Sequence, residues 1–227
     1  MGNSRCTPPP RRPYLGVKPK RTGEAPTPDP SLEWTRIAPL SANLRRHRNM
    51  SDHLHVRRVS ASDDLHALTE LIHAAYAPHA ASGLRYWATH QSVADTEKRI
   101  ARGVCFVGEL DGDIIATIAL ARPDPSSKVE LLREPHTWSF GQFAVAPSHK
   151  GRGFGKQLHD AALLEAAILG CQVMALHTAQ PAVALINRYR TWGYTQVGTC
   201  DWRPHTNFLS VLMSKAVASS GDARGAV

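Results

Sequence analysis

Between Gly141 and Leu158 the chain reads GQFAVAPSHKGRGFGKQL: an apolar run, a proline, three alternate glycines, then apolar residues again at helical spacing. A strand that stops at Pro147 and re-enters as a helix near Gly155 commits the chain to an α/β arrangement. Glycines at 151, 153 and 155 let successive backbone N–H groups turn inward without Cβ obstruction, which forms a concave nest for oxyanions. The helix start adds its unsatisfied N–H groups and the positive end of its dipole. Lys150, Arg152 and Lys156 bring positive charge to the rim. Such a cradle suits a diphosphate better than a single carboxylate.

The elements around this loop follow from periodicity and turn chemistry. LHVRRVS, from Leu54, alternates as a strand, and Ser60 or Ser62 is placed to cap a helix in which Leu65, Leu68, Leu71, Ile72 and Ala75 share a face. A polar aromatic stretch around Arg85, Tyr86 and Trp87 leads to a second helix from Ser92 to Arg102. VCFVGEL and IIATIALAR flank Asp-Gly, a strong hairpin signal. PDPSSKVELLREP is an excursion before the fourth strand, HTWSFGQFAVAP, and the loop's own helix runs from Gly155 to about Gly170. QVMALHTA is a fifth strand, Pro181 opens a helix ending at Trp192, and TQVGTC and NFLSVLMSKAV close as a strand pair. The order β-α-α-β-β-β-α-β-α-β-β describes one α/β domain on a mixed sheet, without the strict alternation of a doubly wound fold.

Two nucleotide loops are excluded by spacing. A P-loop requires Ser or Thr after its lysine, and Gln157 follows Lys156. A Rossmann fingerprint is G-x-G-x-x-G, whereas this loop is G-x-G-x-G and lies mid-domain. GQFAVAPSHKGRGFGKQL instead resembles the fourth strand, pyrophosphate loop and third helix of the GNAT superfamily of N-acetyltransferases. PAVALINRYRTWGY, with Tyr, three residues and Gly-Tyr, resembles that family's later helix, and the element order fits it over about residues 54–217.

The resemblance implies a mostly antiparallel sheet splayed between strands 4 and 5 and an acetyl-CoA donor. It implies that the backbone of Phe143, Ala144 and Val145 binds the pantetheine arm. Gly151, Arg152, Gly153, Phe154, Gly155 and Lys156 would enclose the diphosphate, with Lys150 where the family usually has Gln or Arg. A lysine keeps the charge but loses the planar bidentate contact. Tyr189 matches the family's general acid, which protonates the departing thiolate; a phenol is a sensible donor to a thiolate. Ala182 stands where many relatives have Asn. The acceptor amine would lie near Arg85, Tyr86, Trp87 and the last hairpin, DWRPHTNF. Its base is open: the fourth strand has Ser139 and Gln142 but no carboxylate, leaving Glu130, Glu134, His136 and His177 as candidates. Glu165 shares a face with apolar residues and receives no role. The implied reaction is direct attack of an amine of a small molecule or peptide on acetyl-CoA. The alternative is a non-catalytic acyl-CoA-binding module.

Composition bounds partners. Residues 1–49 hold ten Lys/Arg against three Asp/Glu and nine of the 16 prolines, so most of the net +8 lies there. The near neutrality of the remainder gives no reason to expect a nucleic-acid partner for the folded part. Residues 1–50 read as disordered, 51–217 as the domain, and 218–227 as a disordered tail. MGNSRC departs from a myristoylation signal at Cys6. Folded-looking sequence begins directly after Met50, so the first segment is expected to be a start-site artefact, with a basic arm as the alternative. Four cysteines without metal-finger spacing suggest reduced thiols, a cytoplasmic setting and no metal. No run approaches a membrane span, and a homodimer is compatible with the reading.

Overall fold

The computed structural model describes residues 53–218; the expectations for residues 1–50 and 219–227 lie outside the described residues. Seven strands form one mixed sheet in the order β1-β2-β3-β4-β5-β7-β6. They are β1 His55–Arg58, β2 Gly103–Leu110, β3 Asp113–Ala121, β4 Thr137–Val145, β5 Val173–Ala179, β6 Thr195–Asp201 and β7 Leu209–Ala216. The helices are α1 Leu65–Ala81, α2 Val93–Ile100, α3 Phe154–Ile168 and α4 Val183–Thr191. Every pairing is antiparallel except β4 with β5. The order and type of all eleven elements match the sequence reading; the excursion before β4 holds a short 3₁₀ turn at Glu130–Arg133.

One difference lies in the first cap. Neither serine caps α1; the Asp64 carboxylate accepts from the N–H groups of His66 and Ala67. Ser60 instead donates its backbone N–H to Asp63, whose carboxylate also takes a two-pronged contact from Arg57 at 2.8 Å. That guanidinium holds the Asp63 carboxyl at about 2. Two adjacent aspartates thus divide the work, one capping the helix and one anchoring it to β1. At the start of α2, Ser92 caps reciprocally with Asp95.

The pairing of β4 positions the site. Two steps along β3, Thr117 to Ala119, match three along β4, Ala144 to Gly141, which inserts one extra residue at Gly141–Gln142. Gln142 takes the strain at φ +48°. The bulge reverses which residues face which side. Trp138 and Phe140 pack in the main core with α3, whereas beyond the bulge Phe143 and Val145 pack there and Ala144 joins Ile72 and Ala75 of α1. On its other edge β4 pairs with β5 only from Thr137 to Ser139. The two strands then part, and the expected splay is present.

The core of α3 is the stripe Phe154, Leu158, Ala162 and Ala166, each at most 1% exposed. Leu158→Ala should lower unfolding free energy by about 2–5 kcal/mol, the transfer term plus a cavity that a sheet-backed site cannot close. Urea unfolding measures it; a loss under about 1 kcal/mol would contradict the packing. Glu165, the odd acid on this helix, reaches the edge and pairs with Arg58 of β1.

Candidate active site

The loop after β4 turns through left-handed glycines, Gly151 at φ +82° and Gly153 at φ +85°, and Gly153 begins α3. Neither would bring a Cβ within 4 Å of another group, so conformation and open space, not crowding, explain the glycines. The rim cations are not all free. Lys150 donates to the Ala75 carbonyl of α1 at 2.8 Å, and Lys156 pairs with Asp160 one turn along α3. Arg152 lies over the Phe154 ring. Burial and the nearby Arg188 lower the Lys150 pKa. Arg188 of α4 therefore adds a cation to the loop that the sequence reading did not single out.

The loop and the Tyr-x-x-x-Gly-Tyr segment meet through side chains. His159 of α3, 1% exposed, shares a 2.8 Å hydrogen bond with the Tyr194 hydroxyl and a 3.0 Å contact with Asp160. Tyr194 turns back so that its N–H reaches the Tyr189 carbonyl. Tyr189, Trp192, Tyr194, Phe140 and Phe143 then form one aromatic cluster with ring centres 5.7–6.0 Å apart.

Beside the splay lies a cavity of about 420 Å³, lined by Gly141–Phe143 of β4, His177 and Thr178 of β5, and Tyr189. Tyr189 is 6% exposed, and no described residue hydrogen-bonds its hydroxyl. Burial drives its pKa well above 10, so the phenol is a proton donor throughout the working range. Tyr86 closes one end: its hydroxyl meets Thr178 Oγ1 at 3.0 Å and accepts the Ala179 N–H at 3.2 Å, satisfying part of the edge that β4 abandons. Asn207 ties this end shut by accepting from the Arg85 N–H and donating to the Gly83 carbonyl.

The expected acceptor region therefore converges here, with Tyr86, Trp87, Trp202, His205 and Phe208 on the walls; Arg85 contributes only its backbone to the clasp. Of the four base candidates, His177 lines the cavity, its ring tilted 40° against Trp202 with centroids 5.1 Å apart. Although His177 is exposed to solvent on β5, desolvation by the residues around it and the nearby Arg99 hold its pKa below the usual imidazole range, so the ring is neutral near pH 7 and able to accept a proton. Glu130 and Glu134 border a separate groove, and His136 spends its carbonyl on β5. The buried Gln142 amide has no hydrogen-bond partner among the described residues; with its positive φ it marks the bulge as a strained point, as functional sites often contain. Among the described residues no group of three or more His, Cys, Asp or Glu is arranged to hold a metal, and no helix is long and apolar enough to cross a membrane.

The model of the acetyltransferase (GNAT) family matches residues 65–194. The S-(2-succino)cysteine N-acetyltransferase of Bacillus subtilis (strain 168) is 34% identical over 148 residues, 63% of this chain and 86% of that protein. The N-acetylaspartate synthetase of Homo sapiens is 28% identical over 139 residues, 55% of this chain and 43% of that protein. Among solved structures, a GNAT family acetyltransferase from Elizabethkingia anophelis with acetyl-CoA bound is similar at a TM-score of 0.54 and 14% identity, over 72% of this chain and 97% of that one.

Proposed function

The chain belongs to the acetyltransferase (GNAT) family, and on that premise we propose that it transfers the acetyl group of acetyl-CoA to a primary amine by direct attack. The observation that carries this is the arrangement of three features: a glycine loop whose Gly155 stands against Phe143 of the cavity wall, the parted β4–β5 edge, and Tyr189 lining the cavity beside that edge. In this reading Phe143, Ala144 and Val145 offer backbone groups to the pantetheine arm, and residues 150–156 hold the diphosphate. Here Lys150 acts mainly by fastening the loop to α1 while keeping positive charge beside Arg188. The acceptor amine, neutral when it attacks, loses its extra proton to His177 directly or through water. The thioester carbon–sulfur bond breaks as the amide forms, and Tyr189 donates its proton to the leaving thiolate.

The two curated relatives are named for S-(2-succino)cysteine and N-acetylaspartate, which favours a small amino-acid acceptor over a peptide. A cytoplasmic location is part of the proposal, in keeping with the free Cys105, Cys171 and Cys200.

The test is acetyl-CoA with a panel of amines, reading free thiol and acetylated product. Turnover with at least one amine is the expected result. Tight coenzyme A binding with no thiol release from any amine would favour the non-catalytic module.

A further inference from the structure

Helix α2 presents a charged stripe to the cavity. Asp95, Lys98 and Arg99 share one face of α2, Arg102 follows in the turn after its end, and all four line the cavity wall. Asp95 accepts from the Ser92 N–H at 2.9 Å and the Ser92 hydroxyl at 2.8 Å, makes no ion pair with Arg99 and keeps its negative charge. Three cations against this one carboxylate leave the stripe net positive.

Arg99 is the innermost. Its guanidinium lies against Gly141 at the bulge, where an added Cβ would stand 2.7 Å from Nη2. Gly141 is thus the residue that makes room for Arg99. Among the described residues Arg99 has no carboxylate within ion-pair distance and no hydrogen-bond acceptor. Burial and the neighbouring Arg102 disfavour its charge, with Asp95 acting in the opposite sense from one turn away. A largely enclosed, unpaired cation is costly to the folded protein, and an anion brought into the same cavity offsets that cost. The guanidinium fork matches a carboxylate in two parallel contacts.

We propose that Arg99 binds a carboxylate of the acceptor, with Lys98 and Arg102 drawing it in, so that the cavity selects amines that also carry an acid group. This rests on the acetyl-transfer reading above and adds to it the residue that chooses the substrate. Arg99 touches the non-reacting end of the acceptor; it binds and orients, while the proton transfers belong to other groups.

The experiment compares S-(2-succino)cysteine, L-aspartate, their carboxamide forms and propylamine as acceptors, for wild type, Arg99→Leu, Arg99→Lys and Gly141→Ala. Wild type should prefer the acids over their amides. Arg99→Leu should lose about 100-fold in kcat/KM for the acids, by analogy with truncating one partner of an enclosed charge pair, and little for propylamine. Arg99→Lys should keep part of the preference, and Gly141→Ala should resemble Arg99→Leu because its methyl displaces the guanidinium. The melting temperature of Arg99→Leu should equal or exceed that of wild type, since an unpaired charge has been removed. Succinate binding is measured alongside by calorimetry with coenzyme A present. Wild type should bind it, and Arg99→Leu should not.

Equal turnover of acids and amides, or an acid preference that survives in Arg99→Leu, would overturn the inference and leave acetyl transfer standing. No turnover of any amine, with succinate still held through Arg99, would overturn acetyl transfer and leave an anion site. Absence of succinate binding to wild type together with absence of turnover would sink both.

Discussion

Tyr189→Phe should reduce acetyl transfer by about 10²- to 10⁴-fold, the usual contribution of a positioned general acid, with coenzyme A affinity unchanged. The side chain keeps its ring among Phe140, Trp192 and Tyr194, so packing survives and only the hydroxyl is lost. The pH dependence distinguishes chemistry from packing. Burial raises the Tyr189 pKa well above 10, so in wild type the acid stays protonated and no alkaline loss from this group is expected up to about pH 10. In the variant the thiolate must leave without a proton donor. That handicap is greatest below about pH 8 and shrinks as pH passes the ordinary thiol range, where a free thiolate is stable in water. A deficit that stays constant across pH, or no deficit, would remove Tyr189 from the mechanism. The comparison is of single-turnover rates between pH 6 and 10 with a good acceptor.

Gly153→Val should weaken coenzyme A binding at least about 100-fold. Two effects act together. A β-branched residue at φ +85° is strained, at about 1–2 kcal/mol or more, so the loop relaxes away from its turn. The added side chain also occupies the open space beside Gly153, which the proposed function gives to the diphosphate. Gly155→Ala separates these effects. Its φ is ordinary, and its new methyl would meet Phe143 Cζ at 3.4 Å and Val145 Cγ2 at 3.5 Å, a normal contact. That variant should therefore keep its thermal stability, and any loss of coenzyme A affinity reports obstruction of the ligand alone. Calorimetric titration reads both variants. A Gly153→Val protein that binds coenzyme A as wild type does would show that the cradle holds something else.

Much of this molecule was legible along the chain because its signals are local. The Asp-Gly hairpin between β2 and β3 and the glycine turn into α3 each depend on a few adjacent residues, and each lies where expected. The failures share a different cause. Ser60 and Ser62 are good caps in isolation, but the aspartates beside them compete, and the competition is settled by Arg57 arriving from β1. Lys150 reads as a rim cation until the carbonyl of Ala75, 75 residues earlier, comes within 2.8 Å. Arg99 stands with Lys98 and Arg102 in EKRIAR, where nothing local marks it apart from its neighbours. A cationic face ordinarily means solvent, and Lys98 and Arg102 are indeed exposed; only Arg99 turns inward, against Gly141.

The order of strands and helices, the anion cradle and the aromatic segment with Tyr189 belong to the sequence, since hydrophobic period, turn residues and backbone freedom are properties of short stretches. Which groups share a cavity does not. That depended on one extra residue in β4, which reverses the side-chain alternation at Gln142 and lets β4 and β5 part after Ser139. A bulge is set by the balance of pairing along two whole strands, and the alternation of period two makes every later side chain depend on it. The glycine turn into α3 could therefore be read from residues 141–158, while the cavity wall beside Tyr189 existed only once β4 and β5 had parted.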